Sequence, residues 1–189
     1  MTQIILGSQS PRRRELLKGA GFTFEIFSPE MDESFDEDMD VYKVPAFLAE
    51  KKGDLVYEKF GSDKIIITAD TVVILENEII GKPTDFKDAK QILQKLSGKM
   101  HEVVTGVCMQ FNGKKMVFSD TTKVYFEALS QKEIDYFVDN YKPLDKAGAY
   151  AIQEWIGYIG VRRIEGCFFN VMGLPIPLVY KKLKEWSAV

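Results

Sequence analysis

Histidine is nearly absent: His101 is the one histidine in 189 residues. A Ser-His-Asp or Cys-His nucleophilic mechanism would have to use it. It follows a predicted helix over residues 86–96, where an exposed or hydrogen-bonded polar role is the ordinary one, so acyl-enzyme chemistry is discounted. Cysteine is almost as scarce. Cys108 and Cys167 lie far apart in no metal-binding or redox spacing, and both are expected as reduced core residues. Excess positive charge is also lacking. With 25 Lys and Arg against 28 Asp and Glu, the net charge is −3, which argues against general nucleic-acid binding. No apolar run approaches the length needed to span a membrane, and the first stops at Gly7 after three residues. Neither a membrane segment nor a signal peptide is expected, and the predicted location is cytoplasmic. The G-x-x-x-x-G-K-[ST] phosphate loop is missing, as are internal repeats, linkers and low-complexity segments.

What remains is an ordinary soluble composition, 46% hydrophobic and 28% charged. The length suits one α/β domain with a sizeable core, with room for two lobes around a cleft. Residues 3–14 organise the chain. Ile4, Ile5 and Leu6 make a short buried strand, Gly7-Ser8-Gln9 a loop, Ser10 a helix cap, and Pro11 the first helical residue. Arg12, Arg13 and Arg14 then occupy the first helical turn, where the helix dipole disfavours cations. A solvated basic helix end is the plain reading. The alternative is an anion site, because backbone N–H groups, serine hydroxyls and guanidinium forks together suit a polyphosphate. In a mildly acidic protein, so local a cluster favours a small anion over a long one.

Further along, residues 22–27 read as a strand and 29–40 as a solvated acidic loop that includes Glu33. Pro45 opens a helix with Phe47, Leu48, Leu55 and Val56 on its buried side. Residues 64–69 form an apolar run typical of a central strand buried on both faces; it ends at Asp70-Thr71 and resumes through residues 72–75. After a turn at 76–78, Gly81-Lys82-Pro83 is a restricted loop. The 86–96 helix stops at Gly98, and strands over 102–111 and 115–126 flank an Asn112-Gly113 type I′ turn. Ser130 and Glu133 form a capping box for a helix to about residue 140. An aromatic, glycine-rich segment (145–160), a strand at 161–164 and a last helix from Pro175 complete the chain. Alternating elements with a central hairpin predict an α/β domain with a mixed, twisted sheet flanked by helices.

Asp70 is the strongest candidate for chemistry. At the end of an apolar strand it should be partly buried, able to hold a metal ion or to orient and deprotonate water. The alternative is a turn-forming aspartate bonded to its own backbone. Arg12, Arg13, Lys52 and Lys82 are candidate polyphosphate ligands, although most lysines are merely solvated. Glu33 can join Asp70 around magnesium, but it is one acid among seven in its loop. Tyr150, Trp155, Tyr158 and Phe169 can stack on a base, though core packing is the commoner role of such aromatics.

Six segments, in order, resemble the Maf family of nucleoside triphosphate pyrophosphatases over nearly the whole chain. They are Leu6-Gly-Ser-Gln-Ser-Pro-Arg-Arg-Arg14, Ala69-Asp-Thr-Val-Val73, Gly81-Lys-Pro83, Ser97-Gly98 with Val104-Thr-Gly-Val107, Asp145-Lys-Ala-Gly-Ala-Tyr-Ala-Ile-Gln153, and Asn170-Val-Met-Gly-Leu-Pro175. The resemblance implies a single Maf-like domain over residues 1–189, related to the inosine-triphosphate pyrophosphatase fold, usually dimeric, with its site in a cleft between two lobes. It implies magnesium- or manganese-dependent hydrolysis between the α- and β-phosphates of a nucleoside triphosphate; no nucleic-acid or membrane partner is expected. It places phosphate-binding residues at Ser8, Arg12, Arg13, Lys52 and Lys82, the general base at Asp70 and a supporting acid at Glu33; Asp70 and Glu33 are also the expected metal ligands. Ala69-Asp-Thr71 with Gln153 resembles the branch acting on dTTP and UTP, making Arg12, Thr71 and Gln153 the specificity positions. The alternatives are a 7-methyl-GTP pyrophosphatase and a non-catalytic nucleotide-binding regulator of cell division.

Overall fold

The computed structural model describes residues 3–186. Strands β1 (Ile4–Leu6), β2 (Phe24–Ile26), β3 (Ile65–Leu75), β4 (Glu78–Ile80), β5 (Met100–Phe111), β6 (Lys114–Phe126) and β7 (Val161–Glu165) alternate with seven α-helices. These are α1 (Pro11–Gly19), α2 (Val44–Phe60), α3 (Phe86–Leu96), α4 (Gln131–Tyr141), α5 (Trp155–Gly160), α6 (Phe168–Met172) and α7 (Ile176–Glu185). The strands form one sheet in the order β2-β1-β3-β5-β6-β7, with β4 paired to β3. β1 pairs parallel with β2 and β3, whereas the β3–β4 and β6–β7 pairs are antiparallel, so the sheet is mixed. None of the described helices is long and apolar enough to cross a membrane.

Local chemistry accounts for several boundaries. Ser10 caps α1 by accepting from the Arg13 N–H at 3.5 Å, and Pro11 opens the helix. Asp85 caps α3, and the Ser130–Glu133 capping box starts α4. Asn112 and Gly113 have φ values of 48° and 74°, as a type I′ turn requires, and Glu76-Asn77 turns β3 into β4 in the same way at 53° and 64°.

Several expectations are corrected. β3 does not stop at Asp70-Thr71 but runs unbroken from Ile65 to Leu75. Its first half is held by β1 at residues 65–67 and its second by β4 at residues 73–75, so the polar pair is carried between two anchored ends. Asp70 is therefore not a turn residue. Phe47 is exposed, and the buried stripe of α2 is Leu48, Ala49, Lys52, Gly53 and Val56. The segment over 145–160 contains α5, and α6 follows β7; each is five or six residues long, too short for a periodic signal. Cys108 is buried, but Cys167 is only half-buried; both are free thiols. Of the aromatics, Tyr150 is core, Trp155 is half-buried against Tyr136 at 4.7 Å, and Tyr158 and Phe169 are exposed.

The chain divides into two compact units. The first comprises described residues 3–70, 105–120 and 173–186; the second comprises 71–104 and 121–172. In the first, Ile5, Val56 and Ile66 are fully buried, with Phe27, Tyr57 and Phe60 packed on them. Helix α2 lies very close to the sheet here. A Cβ on Gly53 would meet Cys108 Sγ at 2.9 Å, and one on Gly106 would sit 2.2 Å from the Ala46 backbone nitrogen.

In the second unit His101 is 1% exposed. Its Nε2 lies 2.7 Å from the Tyr150 hydroxyl, and its ring meets Phe126 and Tyr150 edge-on. It belongs to β5 and packs in the core, rather than following a helix end. Burial lowers its pKa from 6.5 to about 4. With the folded value below the unfolded one, the neutral ring's contribution to stability is complete above pH 6.5. It is lost as pH falls towards 4, a change of about 3 kcal/mol. His101→Gln should flatten this part of the pH dependence. Urea midpoints of both proteins at pH 7, 6, 5 and 4 would show it, and parallel slopes would contradict it.

Candidate active site

In the first unit, five of the expected residues converge. Lys52 projects from the buried stripe of α2 and is only 8% exposed. Thr68 faces the same helix, donating from Oγ1 to the Ala49 carbonyl at 2.6 Å. Asp70 is two residues further along β3, on the same face as Thr68, since strand side chains alternate. The Lys52 ammonium thus reaches Asp70 Oδ1 at 3.5 Å and Glu33 Oε1 at 3.5 Å. Glu33, on the acidic loop, remains half-exposed.

Arg13 enters from α1. Its Nε donates to the Gly173 carbonyl at 2.7 Å and its Nη1 to Ser8 Oγ at 3.3 Å. Ser8 is buried, and its hydroxyl also accepts from the Ser10 backbone N–H at 3.2 Å. The loop after β1 is therefore tied to the first turn of α1, and α1 to the chain at Gly173. Burial lowers the Arg13 pKa, while the field of Asp70 raises it. Asp70 shows the converse. Burial raises its carboxyl above 3.8, more than Arg13 and Lys52 draw it down, and Glu33 raises it further. A carboxylate with raised proton affinity, flanked by two cations, is the electrostatic condition for a general base beside an anionic substrate.

The donor set also suits a hard divalent cation. Asp70 and Glu33 approach the same point closely enough to share one ammonium. Magnesium takes one or two carboxylates and completes its shell with water and phosphate oxygens. Among the described residues no cluster of three or more potential metal ligands forms a closed cage.

Lys82, Thr71 and Gln153 belong to the second unit. Lys82 is exposed in its loop, which is held by a Gly148 N–H to Gly81 carbonyl bond of 3.0 Å. Thr71 follows Asp70 on β3 and is half-buried. Gln153 buries its carbonyl oxygen, Oε1, without a hydrogen-bond partner among the described residues. Arg12 is half-buried in α1.

Lys146 and Glu154 stand out only in the folded chain. Lys146 is 7% exposed, with Nζ 2.8 Å from Asp145 Oδ1 and 3.5 Å from Glu154 Oε1. A lysine beside the small residues Ala147-Gly-Ala149 was the available signal, since small neighbours let the surrounding chain close over it. For Lys52 the signal was its place, three and four residues from Ala49, Leu48 and Val56, on an otherwise apolar stripe.

The mixed α/β fold is shared by a solved HAM1 protein from Coxiella burnetii. It matches 98% of this chain and 100% of its own with a TM-score of 0.51 and 11% identity, a likeness of fold alone. The family model described as Maf-like protein matches residues 3–186. This chain belongs to the Maf-like protein family. A dTTP/UTP pyrophosphatase of Phocaeicola vulgatus is 48% identical over 184 residues, covering 97% of this chain and 95% of its own. A dTTP/UTP pyrophosphatase of Porphyromonas gingivalis is 48% identical over 188 residues, covering 98% of this chain and 94% of its own.

Proposed function

We propose that this protein hydrolyses dTTP and UTP between the α- and β-phosphates, releasing pyrophosphate and the nucleoside monophosphate. The observation that carries the proposal is Asp70: a half-buried carboxylate of raised proton affinity, paired with Lys52 and in the field of Arg13, in a chain close to two dTTP/UTP pyrophosphatases. Arg12, Arg13, Lys52, Lys82 and Ser8 bind the triphosphate and offset its charge by position and electrostatics. Asp70 accepts the proton of the water that attacks the α-phosphorus in line, and Glu33 supports it. When bound by Asp70 and Glu33, a magnesium or manganese ion supplies Lewis-acid polarisation of the phosphoryl oxygens.

Gln153, Thr71 and Arg12 set base preference. Uracil and thymine present one N–H donor between two carbonyls; the unpartnered Oε1 of Gln153 suits that N–H, and the same amide can donate to a carbonyl beside it. Gln153→Glu replaces the donor with a second acceptor. It should lower kcat/KM for dTTP and UTP about 30-fold, more than for other triphosphates. Equal losses across all bases would remove Gln153 from this role.

The deciding assay presents dTTP, UTP, CTP, GTP and 7-methyl-GTP with magnesium or manganese and identifies the products. Pyrophosphate with dTMP and UMP is expected. Turnover of 7-methyl-GTP alone would overturn the specificity assignment, and orthophosphate release would overturn the bond cleaved. Tight dTTP binding without any product would favour a nucleotide-binding regulator. Sedimentation of the purified chain tests the homodimer that the family resemblance implies.

A further inference from the structure

Gln153 and Glu154 are consecutive, and each buries one side-chain oxygen that receives no hydrogen bond from the described residues: Oε1 of Gln153 and Oε2 of Glu154. Burying an acceptor without a donor is costly, so two in one dipeptide mark a place where donors arrive from outside. The other oxygen of Glu154 is engaged. Oε1 lies 3.5 Å from Lys146 Nζ, and the same ammonium holds Asp145 Oδ1 at 2.8 Å. Lys146 precedes the short 3₁₀ turn Ala147–Ala149. There Gly148 has φ 70°, a conformation that favours glycine, and a Cβ would crowd Val73 Cγ2 at 3.0 Å. The lysine is thus held on a tightly seated turn. Glu154 is anchored through one oxygen and offers the other.

The proposed substrates supply a matching pair of donors. dTTP and UTP differ at the base methyl group and the 2′-hydroxyl; they share the imide N–H and the ribose 3′-hydroxyl. The two acceptors are not interchangeable. A carboxylate set against the imide would face its two flanking carbonyls with lone pairs, whereas an amide can accept from the N–H and donate beside it. A hydroxyl needs only an acceptor. We propose that Glu154 is a further specificity residue whose Oε2 accepts the ribose 3′-hydroxyl, while Gln153 reads the imide and Lys146 is the positioning residue that fixes Glu154. The assignment rests on the pyrimidine-nucleotide reading above.

The test compares dTTP with 2′,3′-dideoxythymidine triphosphate, which lacks only the 3′-hydroxyl. Wild type should show a KM about 10-fold higher for the dideoxy nucleotide. Glu154→Met should bring that ratio close to one, chiefly by raising the KM for dTTP. Lys146→Met should reduce the ratio and Lys146→Arg restore it, a rescue that a merely structural role would not produce. A wild-type ratio near one overturns the proposal, as does an unchanged ratio in Glu154→Met. If Glu154→Met does not fold, Glu154→Gln retains a weaker acceptor and should give an intermediate ratio; a wild-type ratio there overturns the proposal equally. If wild type hydrolyses neither nucleotide, the pyrimidine reading itself fails. Good turnover of both with no discrimination removes only the role of Glu154.

Discussion

Asp70→Asn is expected to lower kcat for dTTP by about 10³-fold or more, the scale on which a positioned general base contributes. Its KM should stay level or fall, because the substitution removes a negative charge from beside a triphosphate. The same variant should be at least as stable as wild type at neutral pH. Burial raises the Asp70 carboxyl above its ordinary value despite Arg13 and Lys52. A group whose pKa is raised on folding contributes stability below its unfolded value and loses that contribution as pH rises through the folded one. At pH 7.5 the ionised side chain is therefore a net cost to the fold, and the amide removes it. Melting temperatures at pH 7.5 and pH 4, with steady-state kinetics at pH 7.5, test both halves. The variant's stability advantage should shrink towards pH 4. A variant that is inactive and also much less stable at pH 7.5 would make Asp70 a structural counter-ion for Arg13 and Lys52 and no base.

Gly106→Ala is expected to destabilise the chain by about 4 kcal/mol or more, much of the 5–15 kcal/mol typical of a folded domain. The added Cβ would lie 2.2 Å from the Ala46 nitrogen and 2.3 Å from the Pro45 carbonyl carbon, backbone atoms of the first turn of α2 that no rotamer change can move. Relief requires α2 to lift from β5. Helix α2 also carries Lys52, so any folded fraction should lose phosphate affinity as Lys52 withdraws from Asp70. Urea unfolding reads the first effect, and KM for dTTP the second. Gly19→Ala is the control, because none of the described residues lies within 4 Å of its added methyl, and it should be neutral or slightly stabilising. A Gly106→Ala melting temperature equal to that of wild type would mean that α2 is not seated on β5 as described.

The Maf-like pattern was legible because its signals are local. Ser10 before Pro11, Asn112-Gly113 and the Ser130–Glu133 box each satisfy backbone groups within a few residues, and those elements lie where local chemistry places them. The helix over residues 86–96 coincides with its apolar period for the same reason. The candidate site was legible as a set of residue types, an aspartate after an apolar strand and arginines at the start of a helix.

What the sequence alone determined is therefore the inventory: the turns, the caps, most of the elements, and the candidate residues for binding phosphate and moving a proton. Tertiary structure decided their environment. Asp70 remains within a strand because β1 and β4 hold the two halves of β3, which no local rule encodes. Lys52 is buried because glycines at 53 and 106 let α2 approach β3 and β5 closely, turning an ordinary helical lysine into the partner of Asp70. Gln153 and Glu154 each bury an unsatisfied oxygen only once the chain has closed around them. Burial and electrostatic field are properties of packed neighbours distant in sequence, and they make these common side chains a candidate site.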